Sequence, residues 1–172
     1  MTDTPSYRHD PPEVGDERAM LIGFLDFHRA TLRWKCEGLT ADQLATKSAP
    51  PSTMSLLGLL RHLAEVERGW FRDFAGETNP PLYCSEADPD GEFDNVEPDE
   101  QMVFRAWADW RAEIEHANEI IARSSLDDTF VRRRRNKTIS LRWVLIHMIE
   151  EYARHNGHAD LLRERIDGAT GE

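Results

Sequence analysis

The chain has 172 residues, 40% of them apolar and 31% charged, with a net charge of −11. That length supports one domain with a full core, and those proportions exclude a disordered chain. The acid excess argues against nucleic acid and against an anionic membrane surface as partners. No apolar run approaches the roughly 18 residues of a membrane span, and no secretory h-region opens the sequence. The two cysteines, Cys36 and Cys84, lack CxxC spacing, which fits a cytoplasmic protein with structural thiols.

The first dozen residues are polar and proline-rich, and residues 1–15 read as an arm preceding a domain over 16–168. Asp16 opens a helical pattern with Met20, Leu21, Phe24, Leu25, His28, Leu32 and Cys36 on one side, stopping at Gly38. Thr40 and Gln43 fit a capping box on a short helix, and Ala49-Pro-Pro-Ser breaks the chain. A second long helix spans about 55–75, its apolar stripe made by Leu56, Leu59, Leu63, Val66, Trp70 and Phe74, with Gly76 at its end. Glu67 falls in that stripe, either as a buried acid or facing a neighbouring subunit. Residues 76–98, rich in proline and acids, form a connection long enough to suggest that it covers something. A third long helix covers about 99–123, with Trp107, Trp110, Ile114 and Ile121 as core candidates. Residues 129–139 allow an extended piece. They include the basic run Arg132 to Arg135, followed by Lys137, which reads first as a solvated loop and second as an anion or substrate contact. Ser140 caps a fourth long helix running to about Ile166, with Gly168 just beyond. Four long amphipathic helices predict an all-α four-helix bundle, a fold that places metal sites between facing helices.

The fourth long helix carries the chemistry. On a helical wheel, Leu141, Val144, Leu145, Met148, Tyr152, Ala159, Leu162 and Ile166 form its stripe, and His155 falls inside it. Glu151 lies at the edge, within about 20° of Val144 and Leu162. A carboxylate there is costly to bury unless a metal ion or an arginine meets it. Glu151 and His155 are four residues apart and can address one ion. His147 and His158 extend the row, with roles beyond direct ligation. On the second long helix, His62 sits on the flank beside Gly58 and Gly69. Each of those glycines costs about 1 kcal/mol relative to alanine, so something is expected to approach closely there. Taken singly, His62 is compatible with a boundary histidine and Glu151–His155 with a structural i,i+4 pair. Trp143, Ile146 and Leu161 form a second apolar patch on the fourth long helix and suggest a homodimer.

The segments PSTMSLLGLLRHLAEVERGWF and SLRWVLIHMIEEYARHNGHADLLRERIDG resemble the DinB-like superfamily, and more narrowly its branch near mycothiol-dependent maleylpyruvate isomerase and the mycothiol S-transferases. The resemblance runs from about Asp16 to Gly168. It implies a four-helix bundle holding a divalent metal through three side chains, which fall on His62, Glu151 and His155. Many superfamily members carry histidine where this chain has Glu151, whereas the isomerase branch carries glutamate. That isomerase also has a second, C-terminal domain with no counterpart in this sequence, so isomerisation of maleylpyruvate is not the expected reaction.

Two histidines and one carboxylate with an open position describe a catalytic zinc site, with nickel or iron as alternatives. The expected function is a metal-dependent thiol S-transferase that adds a low-molecular-weight thiol, mycothiol by resemblance, to an electrophile through a metal-bound thiolate. The same ligands would serve a metal-dependent hydrolase or a non-haem iron oxygenase. A non-catalytic, metal-binding or dimeric helical module is the remaining alternative. Arg134 or Arg135 would contact the thiol, and the 76–98 connection would border the mouth of the pocket.

Overall fold

The computed structural model describes residues 4–132 and 136–171. Among them are six helices and a two-stranded sheet: α1 (Glu17–Cys36), α2 (Ala41–Ala45), α3 (Leu56–Phe74), α4 (Gly91–Asp94), α5 (Glu100–Arg123), β1 (Thr129–Arg132), β2 (Lys137–Ser140) and α6 (Leu141–Asp167). The long helices begin where side chains satisfy otherwise unpaired backbone N–H groups. Asp16 accepts from Ala19, Ser55 from Gly58, Asp99 from Gln101 and Ser140 from Trp143. Glycines with positive φ follow three of them, Gly38 after α1, Gly76 after α3 and Gly168 after α6. The Gly168 N–H donates to the Glu164 carbonyl at 2.8 Å.

α3 packs against α5 on one side and α6 on the other, and α6 also packs along α1. Their shared core includes Leu25, Leu32, Leu59, Leu63, Ile120, Val144 and Met148. β1 and β2 pair antiparallel with Thr129 opposite Ser140 and Arg132 opposite Lys137, so the extended piece around 129–139 is a hairpin that runs directly into α6. The chain ahead of α1 folds back on that helix at Arg8, which donates to the Thr31 hydroxyl at 2.8 Å and stacks its guanidinium over Phe27.

The core assignments of Phe24, Trp107 and Ile114 differ from the sequence reading. Phe24 is 45% exposed, whereas Arg29, on the same helix, is buried. Trp107 and Ile114 only flank the core, while Trp110 and Ile121 lie within it. Of the two readings of Glu67, the buried acid is the one that holds. Its carboxylate receives Arg29 Nε at 2.7 Å and Arg29 Nη2 at 2.8 Å. The Tyr152 hydroxyl donates to Glu67 Oε1 at 2.9 Å and itself accepts from Trp110 Nε1 at 2.8 Å. One polar network therefore joins α1, α3, α5 and α6 through their interiors. Its α3–α6 link, Tyr152 to Glu67, lies five residues from His62 and next to Glu151.

Trp143, Ile146 and Leu161 are all exposed. Glu150 and Arg154, paired with each other, lie between Ile146 and Leu161 on that face of α6 and divide the patch. No helix among the described residues is long and apolar enough to cross a membrane.

Candidate metal centre

His62 comes from α3, and Glu151 and His155 from successive turns of α6. All three are half-buried, and each offers a ligand atom within 4.8 Å of the others. Ligands about 2.1 Å from a tetrahedral ion lie about 3.4 Å apart, so small side-chain rotations close the set. The donor chemistry fits as well, since two imidazoles and one carboxylate suit zinc, nickel or iron. The His62 and His155 rings stand edge to face with centroids 4.7 Å apart, and His155 Nε2 is 3.5 Å from Glu151 Oε2. The three border an open cleft of about 470 Å³, which Asp90, Phe93, Asp94 and Arg154 also line. The 76–98 connection thus reaches the cleft at Asp90, Phe93 and Asp94, and the mouth carries charges of both signs.

Neighbouring groups hold these side chains. His147 Nε2 is 3.2 Å from Glu151 Oε1, leaving Oε2 on the His155 side. The His147 ring stacks on Trp143 and meets Trp70 edge-on, which fixes its plane. His158 Nδ1 approaches His155 Nδ1 at 3.4 Å. A second group, His147, Glu150 and Glu151, also falls within 4.8 Å, but all its members come from one face of α6 and Glu150 is exposed and paired with Arg154.

Two residues that the sequence reading did not place at the site, Glu92 and Cys84, adjoin it. Glu92 Oε1 is 3.2 Å from His62 Nδ1, and the Cys84 thiol donates to Glu92 Oε2 at 2.6 Å. Burial opposes the charge on Glu92, but hydrogen bonds from Cys84, its own backbone and His62 outweigh it and hold the carboxyl below the usual range. Burial and then the hydrogen bond to Glu92 push the Cys84 thiol up to about 12, so it is no ready thiolate. The signals available in sequence were the length of the 76–98 connection and the glycine at position 58. Arg134 and Arg135 lie outside the described residues. Arg132 places its guanidinium 3.5 Å above the Trp70 ring.

Only one of the two glycines beside His62 marks a close approach. A Cβ on Gly58 would meet Phe93 Cδ1 at 2.9 Å, whereas one on Gly69 meets nothing within 4 Å. Gly69→Ala is therefore expected to stabilise the fold by about 1 kcal/mol through helix propensity. Gly58→Ala should lose that gain because Phe93 and α4 must shift. Urea unfolding of both variants checks the contrast.

Burial, and then the neighbouring His62, His158 and Arg154, push the pKa of His155 down to about 4. His155 is thus neutral and able to ligate at neutral pH. In metal-free protein its imidazole should titrate near pH 4 by NMR. An unfolded histidine titrates near 6.5, so the unfolded chain takes up this proton first. The contribution to stability is intact above about pH 6.5 and is lost as the pH falls from there to about 4. A His155 midpoint at or above 6.5 would contradict the burial argument.

The family model for mycothiol S-transferase matches residues 20–168, a span that contains all three candidate ligands and Glu92. No curated protein and no solved structure matches the chain. With most of its length matched, including both helices that form the candidate centre, the chain belongs to the mycothiol S-transferase family of the DinB-like superfamily.

Proposed function

We propose that the chain is a metal-dependent mycothiol S-transferase whose divalent cation, zinc first, is held by His62, Glu151 and His155. On this reading the four long helices form a DinB-like four-helix bundle over residues 16–168, preceded by an arm over 1–15. The observation that carries the proposal is the meeting of two imidazoles and one carboxylate, from two helices, at the edge of an open cleft. A divalent cation in such a site supplies positive charge and an open coordination position, which lowers the pKa of a thiol brought to it. The chain's own residues do the rest. A single glutamate among the ligands leaves net positive charge to favour a thiolate. His147 and His158 keep Glu151 and His155 oriented. Asp90 and Asp94 outnumber Arg154 at the mouth, which favours a neutral electrophile over an anionic one, and Phe93 offers it an apolar wall. In the reaction the thiol gives its proton to solvent and the sulfur's electron pair bonds to the electrophilic carbon. With a halide substrate, the carbon–halogen bond breaks and halide leaves. The exposed apolar residues of α6 provide a surface for a second copy of the chain, and the cytoplasm supplies the reduced thiol.

The test is conjugation of mycothiol to monochlorobimane by metal-loaded protein. A rate above background, lost on chelation, restored by metal and absent in His155→Ala, is the expected result. A rate indifferent to both chelation and the substitution would leave a non-catalytic helical module as the better reading.

A further inference from the structure

We propose that Glu92 is a positioning residue that takes the Nδ1–H of His62, thereby fixing the tautomer in which Nε2 is the ligand nitrogen. The inference rests on the metal-site reading above for its consequence, but the hydrogen bond is argued from the fold alone.

Glu92 is the exception within its segment. Glu86, Asp90, Asp94 and Glu97 are exposed, as acids in a polar connection should be, whereas Glu92 is 6% exposed. Burying a carboxylate requires partners, and both of its oxygens have one, His62 Nδ1 and the Cys84 thiol. Because the Cys84 S–H donates to Oε2, Oε1 remains the acceptor on the His62 side. An unrestrained neutral imidazole favours the proton on Nε2. A carboxylate acceptor at Nδ1 reverses that preference and leaves Nε2 with its lone pair.

The segment around Glu92 is anchored by the helix that carries His62. Arg61 donates to the Asn95 carbonyl at 2.7 Å and to the Gly91 carbonyl at 3.1 Å, holding both ends of α4. Glu65 accepts from the backbone N–H groups of Leu82 and Tyr83, each at 2.6 Å, which fixes the approach to Cys84. Gly58 leaves the space that Phe93 fills. Within two turns, α3 thus provides the histidine, the two anchors for the segment that orients it, and the gap into which that segment settles.

The experiment is long-range 1H–15N NMR of the His62 imidazole in metal-free, full-length protein, well above the ordinary histidine pKa. Wild type should show the Nδ1–H tautomer. Glu92→Ala should shift it toward Nε2–H. Zinc affinity by competition with a chromophoric chelator should fall about 10–100-fold in Glu92→Ala. An Nε2–H tautomer in wild type overturns the proposal without recourse to any variant. So does a tautomer or a zinc affinity unchanged in a folded Glu92→Ala protein. If the tautomer responds to Glu92 as expected while wild type binds no zinc, the positioning role stands and the metal-site reading is what fails.

Discussion

Replacing His62 or His155 by alanine is expected to abolish binding of a divalent cation while leaving the helical content close to that of wild type. The two outcomes separate because the site and the core draw on different residues. The long helices are held by buried leucines, valines and aromatics, and neither histidine belongs to the buried core. His62→Ala and His155→Ala each remove one of three donors from different helices, leaving two ligands and too few to hold an ion against water. Glu151→His should keep binding, since imidazole replaces carboxylate at the same point on α6. It should also shift the thiol chemistry, because the charge left at the site rises by one. Elemental analysis of protein purified without an affinity tag, beside far-ultraviolet circular dichroism, reads both properties. Equal metal content in wild type and in the His62→Ala, His155→Ala double variant would sink the ligand assignment.

The three candidate ligands stood out in the sequence because each broke a local pattern. Glu151 and His155 interrupt an apolar stripe, and His62 stands beside a glycine that costs helix stability. The helix ends were legible for a related reason. Asp16, Ser55, Asp99 and Ser140 cap through contacts only two or three residues away. What stayed hidden depends on partners far along the chain. α4 has four residues and no side-chain cap, and its place is set by Arg61, some thirty residues earlier. Glu92 is indistinguishable in sequence from the exposed acids around it, because its burial is decided by Cys84 and His62. Arg29 gave no core signal, since a hydropathy pattern places arginine outside, and only Glu67 across the α1–α3 contact makes its burial tolerable. Phe24 failed in the opposite sense, an apolar residue that the packing leaves outside. Gly69 shows that a helix glycine is ambiguous by itself: it lies on the same helix as Gly58 but no neighbour approaches it.

The Arg29–Glu67 pair gives the largest expected effect on stability. Glu67 is completely buried and Arg29 is 4% exposed, and the two meet through a bidentate contact. Glu67→Ala leaves a buried guanidinium whose remaining partners among the described residues are Asn118 and the exposed Asp26, at 2.9 Å and 3.3 Å. It also takes the acceptor from the Tyr152 hydroxyl. Breaking a buried pair from one side costs about 3–5 kcal/mol, a large part of the total for a domain of this kind. Burial and the nearby Glu67 act in opposite senses on Arg29, and the carboxylate wins, raising its pKa and keeping it charged. The orphaned group therefore cannot escape by losing its proton. Removing both charges should cost less, so Arg29→Met combined with Glu67→Leu is expected to recover most of the loss, since no uncompensated charge is left inside. Urea unfolding followed by circular dichroism measures all three variants. A Glu67→Ala loss below about 1 kcal/mol would mean that water reaches Arg29 once the carboxylate is gone. The fold would then owe its register to apolar packing alone, and the alignment of His62 with Glu151 should survive the substitution with its metal affinity unchanged.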